Sequence, residues 1–308
     1  KETNSVVTIG TFDGVHIGHR KIIETLLNIS REKKLSNFVI TFDPHPRNIV
    51  TENFKNSVLT SIDEKIELLG KLGIENLLIV NFTKEFSQLS SEDFIKDYLI
   101  EKLNTKHVIA GINHKIGKGR NTDEAILQEL GKNLGFDVSV VEPVIFDDDM
   151  VSSTKIRNEI LLGNWELVGK FLDRNYFIFG KAVEGVSRGK KLGYPTANIQ
   201  PDDKHKLIPN NGVYIVSCEL NYKKYFGIMN IGLRPTFADT EEKVIEVHLF
   251  DFNENIYGQK IKIELLNYIR KEKTFPNTAE LIEQIKKDID TAKIFTAETQ
   301  RRRGNNNE

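Results

Sequence analysis

Cysteine is almost absent from this chain. The one thiol, Cys218, excludes an intramolecular disulfide and a cysteine-based zinc site, and it fits a reducing cytoplasm. No apolar run approaches the roughly 20 residues of a membrane span. Neither sign of charge is in excess. Lys plus Arg is 43 against 44 acids, a net charge of -1, whereas a nucleic-acid binder normally shows a basic surplus. A Walker A loop, protein-kinase signatures and any internal repeat of fixed period are missing. No signal peptide is visible before the first strand, and a few native residues are expected in front of Lys1. The end, residues 297–308, is polar, with Arg301-Arg302-Arg303 and Asn305-Asn306-Asn307, and reads as a disordered tail. What remains is ordinary for a globular protein: 39% hydrophobic and 28% charged residues over 308 positions, enough for two domains with their own cores.

The organising stretch is G-T-F-D-G-V-H-I-G-H, residues 10–19. Residues 6–9, V-V-T-I, precede it as the β-branched run of a buried strand. Ile22, Ile23, Leu26, Leu27 and Ile29 follow at helical spacing. A strand, a glycine-marked turn and a helix start aim backbone N–H groups and a positive helix end at one spot, which suits a phosphate. Gly10, Phe12, Asp13 and Gly18 are expected around it. His16 and His19, three apart, share one face of the first turn. The helix dipole opposes a protonated His there by ~0.3–1 kcal/mol. Stability therefore does not explain the pair, whereas a bound polyphosphate would.

Further strands are expected at 37–42, 77–82, 107–112 and 136–144, alternating with helices at 63–72, 91–104 and 122–134. That alternation predicts a parallel sheet with helices on both faces. Residues 48–61 show no period and read as a loop. D-P-H-P-R, residues 43–47, follows a strand end, where open α/β sheets bind ligands. It reads equally as a plain turn, for which Asp-Pro is a good starter. G-I-N-H-K-I-G, residues 111–117, also ends a strand. S-S-T-K-I-R, residues 152–157, sets the hydroxyls of Ser152, Ser153 and Thr154 at a helix start, to cap it or to donate to phosphate. Arg157, one turn in, adds a fixed fork of donors. A capped surface helix with a basic residue fits the same letters.

A short helix at 165–172 reads as the end of the first domain. From residue 176 strands follow one another, at 177–183, 212–220, 225–231, 245–252 and 260–268, and a helix at 278–295 closes the chain. This predicts an antiparallel barrel or sandwich. In residues 185–198, Gly185, Gly189 and Gly193 at spacing four, with Lys190 and Lys191, can wrap a polyphosphate. Thr196 and Asn198 face one way in an extended segment and offer oxygens of the kind Mg²⁺ takes. A glycine-rich hairpin loop fits too. Glu246 and His248 alternate with Val247 and Leu249 and share a polar face, which by itself reads as a solvated edge.

H-x-G-H after a strand resembles the nucleotidylyltransferase superfamily, and G-x-F-D-G-x-H-x-G-H resembles its flavin adenylyltransferase branch. H-I-G-H is also the signature of class I aminoacyl-tRNA synthetases, but their K-M-S-K-S loop is absent and the near-neutral charge weighs against tRNA. Residues 43–47 are similar to an F-x-P-H-P stretch lining the nucleotide and flavin site. Residues 111–117 are similar to G-x-D-F-x-F-G, with His114 and Ile116 replacing two aromatics. Residues 152–157 resemble the I-S-S-T-x-I-R element that completes the triphosphate site. G-x-x-x-G-x-x-L-G-x-P-T-A-N at 185–198 resembles the riboflavin kinase signature, and residues 211–214, 230–237, 246–252 and 257–258 continue that pattern in order.

The resemblance implies a prokaryotic bifunctional riboflavin kinase and FAD synthetase. Residues 1–175 would form a Rossmann-like FMN adenylyltransferase domain, and residues 176–296 a β-barrel kinase domain with a closing helix. It implies ATP and Mg²⁺, with riboflavin, FMN and FAD as substrates and products. It implies Glu246 as general base, and His45, Asn113, Arg270 and Phe275 around the flavin. No nucleic acid, membrane or obligate protein partner is expected. Two rivals follow from the same letters. One is a kinase whose first domain has decayed, motivated by His114 and Ile116. The other is a flavin-sensing protein without catalysis.

Overall fold

The structure is a computed structural model, and it describes residues 4–51, 57–112, 123–184, 192–221, 223–235 and 241–305. The chain divides into two compact units, Lys1–Ile156 and Arg157–Glu308.

In the first unit, strands β1 (Ser5–Ile9), β2 (Ser36–Asp43), β3 (Asn76–Asn81), β4 (Thr105–Gly111) and β5 (Asp137–Val141) form one sheet in the order β3-β2-β1-β4-β5. Every pairing in it is parallel. The connections carry helices α1 (Ile17–Lys33), α2 (Pro46–Val50), α3 (Ile62–Lys71), α4 (Ser91–Phe94, running on as Ile95–Lys102) and α5 (Glu124–Leu134). A two-strand ribbon, β6 (Ile145–Phe146) with β7 (Asp149–Met150), leads into α6 (Ser153–Leu162). β1 is buried along its whole length, as a central parallel strand covered on both faces must be. Val7, Ile9, Ile40 and Val108 pack with Phe94, Leu99 and Leu127, while Val6 and Ile109 pack with Leu26 of α1. The strand order reverses at β1 and β4. Ligands bind beyond the carboxyl ends of strands at such a switch point, and the G-T-F-D-G turn leaves β1 there.

The loop expected at 48–61 is partly structured. α2 starts at Pro46, a residue pre-set for a first helical position. Val58, Leu59, Thr60 and Ser61 are buried. Ser61 caps α3 in a reciprocal arrangement with Glu64, the S-x-x-E pattern of a capping box.

In the second unit, α7 (Trp165–Leu172) precedes β8 (Tyr176–Val183), β9 (Ala197–Pro201), β10 (Gly212–Leu220), β11 (Lys223–Pro235), β12 (Glu241–Leu249) and β13 (Lys260–Arg270). These strands close a barrel in the order β10-β11-β12-β9-β8-β13, antiparallel throughout. β9 was not expected. It is short and ends in proline, and its first residues read only as an extended segment after the glycine-rich stretch. It closes the barrel all the same, because both β8 and β12 pair with it.

α8 (Thr278–Asn305) lays Ala292, Ile285 and Ile289 over Val213, Ile215, Ile228 and Phe250. It runs on to Asn305, which corrects the expectation of a disordered tail from residue 297. Ala297, Glu298, Gln300 and Arg301 are good helix formers, and their propensity outweighs the polar composition. The expected boundary at 175/176 also differs from the division at 156/157. α7 groups with the barrel because Trp165 meets Tyr214 edge-on at 5.7 Å. Leu161 likewise gives its carbonyl to the Asn210 side chain at 2.6 Å.

One ion pair fixes α8 to the barrel. Arg270, at the end of β13, donates from Nε and Nη2 to both carboxylate oxygens of Asp288 at 2.7 to 3.1 Å. The two side chains are 15% and 3% exposed. Gln284 donates to the same carboxylate at 2.9 Å. Removing one partner of a buried pair leaves an uncompensated charge and costs about 3–5 kcal/mol. Asp288→Asn should therefore lower the stability of the second unit by an amount near the low end of that range. Urea unfolding followed by the fluorescence of the single tryptophan, Trp165, reads that unit.

Candidate active sites

The first candidate site is built where β1 hands over to α1. His16 is the N-cap of α1, its ring Nδ1 accepting the His19 N–H at 3.4 Å. With Nδ1 accepting, the neutral ring carries its proton on Nε2. The two imidazoles stack with centroids 3.7 Å apart and planes 21° apart, and Phe12 meets His19 edge-on at 5.2 Å. The glycines permit this crowding. A Cβ on Gly10 would lie 3.1 Å from the Phe12 ring, and one on Gly18 would lie 3.1 Å from the His16 ring.

Asp13, expected around the phosphate, also fastens the turn. Its carboxylate, on a residue only 2% exposed, accepts the N–H groups of Leu59 at 2.8 Å and Thr60 at 3.0 Å. Its place is behind the turn, where it ties two distant segments together.

The two phosphate motifs meet in space. Ser153, which opens α6, donates its hydroxyl to the Asp13 carbonyl at 2.8 Å, across 140 residues of sequence. Ser152 caps the same helix, accepting the Lys155 N–H at 3.3 Å. Its hydroxyl proton remains to be given. Thr154 is exposed in the first turn. Arg157 lies four residues beyond Ser153 and so on the same side of the helix. His45 caps α2, accepting the Arg47 N–H at 3.2 Å, just past the carboxyl end of β2.

The second candidate site lies on the barrel wall. Glu246 of β12 is in register with Asn230 of β11 on one side and Asn198 of β9 on the other. Directly opposed residues point to the same face, so the carboxylate stands in a row between two side-chain amides. Asn198 is 9% exposed. Two residues with no expected role hold the segment that carries Thr196. His248 Nδ1 lies 2.8 Å from the Pro195 carbonyl, and the Tyr257 hydroxyl donates to the Thr196 carbonyl at 3.4 Å. Tyr194 meets the His248 ring edge-on at 5.6 Å. Gly193 turns the chain with φ of 84°. Asn230 and His248 were legible as letters of the pattern at 230–237 and 246–252, but only the register shows what they stand beside.

Arg270 was expected at the flavin. The structure commits its guanidinium to Asp288 and to the Lys271 carbonyl at 3.0 Å, with Phe275 under it at 5.9 Å. Both residues are thus tied to the start of the loop after β13. Asn113, Gly185, Gly189 and Lys190, like His114 and Ile116, lie outside the described residues.

A third cluster looks like a catalytic triad and is not one. His107 Nε2 is 2.8 Å from Ser139 Oγ, and Asp137 lies 3.7 Å from Nδ1. The Lys33 ammonium sits 3.1 Å from that same Nδ1, so Nδ1 is the acceptor and the proton is on the Ser139 side. A base for Ser139 would need the opposite tautomer. Burial, with Lys33 adding, holds the His107 pKa below the ordinary histidine range.

Comparison with known proteins gives a family for each part of the chain. The FAD synthetase family matches residues 1–155 and the riboflavin kinase family residues 172–296. A bifunctional riboflavin kinase/FMN adenylyltransferase of Buchnera aphidicola subsp. Schizaphis graminum is 40% identical over 298 residues, 95% of this chain and 94% of the relative. The protein of that name from Bacillus subtilis is 39% identical over 292 residues, 94% and 91% of the two chains. Among solved structures, a Streptococcus pneumoniae protein named a macrolide-efflux protein superposes with a TM-score of 0.86 at 31% identity, covering 95% of each chain. That name speaks of transport, yet among the described residues no helix is long and apolar enough to cross a membrane. With both families matched in order and the relatives matched over more than nine-tenths of their length, the chain belongs to the bifunctional riboflavin kinase/FMN adenylyltransferase family.

Proposed function

We propose that the chain converts riboflavin to FMN in its second unit and FMN to FAD in its first, using ATP for each step. The observation that carries this reading is that each unit has its own constellation of polar side chains. One is the stacked histidine pair joined to the α6 start through the Ser153–Asp13 bond. The other is the Asn230–Glu246–Asn198 row.

In the kinase step the riboflavin 5′-hydroxyl oxygen bonds to the γ-phosphorus of ATP, the bridging P–O bond breaks, and ADP leaves. Glu246 takes the hydroxyl proton, and the flanking amides orient it. Thr196 and Asn198 are the oxygen donors that would hold a Mg²⁺ ion, since hydroxyl and amide oxygens beside a carboxylate fit a hard cation. When bound, that ion offsets the phosphate charge. Gly185, Gly189, Lys190 and Gly193 belong to the loop assigned to the ATP phosphates.

In the adenylyl step an FMN phosphate oxygen attacks the α-phosphorus of ATP and pyrophosphate leaves. That nucleophile is already anionic and needs no base. His16 Nε2–H, His19, Ser152, Thr154 and Arg157 are the donors assigned to the phosphate oxygens, where positioning and charge stabilisation do the catalysis. His45 and Asn113 are assigned to the flavin side, as are Arg270 and Phe275 in the kinase unit, where their part is to shape the covering loop. The substrates are small anions and a vitamin, which suits the near-neutral net charge. A reducing, ATP-supplied cytoplasm is part of the same reading. Burial pushes the Cys218 thiol up to about 12, which keeps it inert there.

Incubation with riboflavin, ATP and Mg²⁺ should end in FAD by chromatography. FMN as the end point would mean that the first unit is inactive, and unchanged riboflavin would leave only a flavin sensor. His19→Ala should abolish FAD formation from FMN and leave riboflavin phosphorylation nearly intact. Loss of both activities in a folded variant would refute two independent sites. Glu246→Gln keeps the shape and removes the basicity, and losing a general base costs about 10²–10⁴-fold. The kinase kcat should fall by about that factor, with riboflavin binding and FMN adenylylation little changed. A kinase rate within about threefold of the parent would remove Glu246 from the mechanism.

A further inference from the structure

Against the G-T-F-D-G turn lies a buried segment, Leu59-Thr60-Ser61, in which no motif singles out Thr60. Thr60 is its centre. Its Oγ1 accepts the Gly14 N–H at 3.0 Å and lies 3.3 Å from Asp13 Oδ1, to which it donates. Its own N–H donates to the same oxygen at 3.0 Å. One threonine, 4% exposed, therefore grips two successive residues of the turn.

The turn needs gripping. Phe12, Gly14 and Val15 have φ of 45°, 89° and 40°. A β-branched residue at positive φ is an outlier that persists only where its surroundings over-determine it. The far side of Asp13 is also held, since its carbonyl accepts from Ser153 at 2.8 Å. Asp13 is thus the joint at which both phosphate motifs are set. A tether one residue before Phe12 adds to it. Lys65 Nζ donates to Thr41 Oγ1 at 3.1 Å, and Thr41 Oγ1 donates to the Thr11 carbonyl at 3.2 Å.

We infer that Thr60 is a positioning residue for adenylyl transfer: its hydroxyl clamps the Asp13–Gly14 turn, and the clamp sets His16, His19 and the Ser152–Ser153 helix start at one height. The inference rests on the reading of the first unit as the adenylyl-transfer site. Thr60 touches no substrate and acts through the backbone of the turn. A catalytic group displaced by about 1 Å loses on the order of 100-fold in rate.

The test uses the full chain with Thr60→Val, which keeps the shape and loses the hydroxyl, and Thr60→Ser, which keeps the hydroxyl. Thr60→Val should lower kcat for FAD formation from FMN by roughly 10–100-fold, with the KM for ATP within about threefold and riboflavin phosphorylation unchanged. Thr60→Ser should stay within about threefold of the parent. In the ligand-free protein, amide exchange of residues 10–19 should speed up in Thr60→Val and not in Thr60→Ser. Parent-like protection of β1 and β4 shows that the unit has folded. An adenylyl kcat of Thr60→Val within threefold of the parent overturns the inference. So does a loss shared by Thr60→Ser, or a loss without faster exchange. His19→Ala run alongside separates the two failures. FAD formation that survives His19→Ala overturns the reading of the site. FAD formation lost in His19→Ala but kept in Thr60→Val overturns the clamp alone.

Discussion

A chain leaving a central parallel strand at Ile9 and starting a helix at Ile17 must turn within a few residues. Here it does so through left-handed backbone at Phe12, Gly14 and Val15. Such conformations cost about 1–3 kcal/mol at each non-glycine residue. Hydrogen bonds to a charged group contribute roughly 1.5–3 kcal/mol each, and Asp13 takes them from Leu59 and from Thr60. The acid of the motif is thus a fastener for its own loop. The stacking of His16 on His19, the cap of α1 and the docking of Ser153 all follow from where that loop is held.

The barrel depends on a comparable closure. β9 is five residues long, yet it joins β8 to β12 and puts Asn198 beside Glu246. The segment before it is held by its carbonyls. His248 meets the carbonyl of Pro195, and Tyr257 meets that of Thr196. Both contacts use backbone oxygens, so the Thr196 hydroxyl and the Asn198 amide stay available on their own face. α8 seals the neighbouring wall, and the Arg270–Asp288 pair locks it where β13 ends.

Patterns with a period were legible in the sequence. The V-V-T-I run, the helical spacing after His19, the alternation of strands with helices and the later run of strands all appear in the structure, and so does the pairing of His16 with His19. Features set by distant partners were not. β9, A-N-I-Q-P, alternates over only four residues, and its pairing with β8 and β12 is what makes it a strand. Thr60 looks like any loop threonine, since its role comes from residues 46 and 47 positions away. Asp13 was read from its place in a phosphate motif, but only the fold could say which way the carboxylate turned. Arg270 likewise looked available as a charge until α8 brought Asp288 to it. The Ser61…Glu64 capping box was the one written signal within 48–61, and it marks where that stretch ceases to be a loop.

The two sites differ as their nucleophiles differ. A riboflavin hydroxyl must lose a proton as it attacks, and Glu246, proposed as the acceptor, stands in register between two amides. An FMN phosphate carries its charge already, and a carboxylate facing it would only repel it. In the first unit the acid of the turn, Asp13, accepts the backbone N–H groups of Leu59 and Thr60, while the starts of the two helices carry imidazoles and hydroxyls. Placing both chemistries in one cavity would set a base beside an anion that has no use for it. Separate units remove that conflict, and the product of one site then becomes the anionic substrate that the other is built to accept.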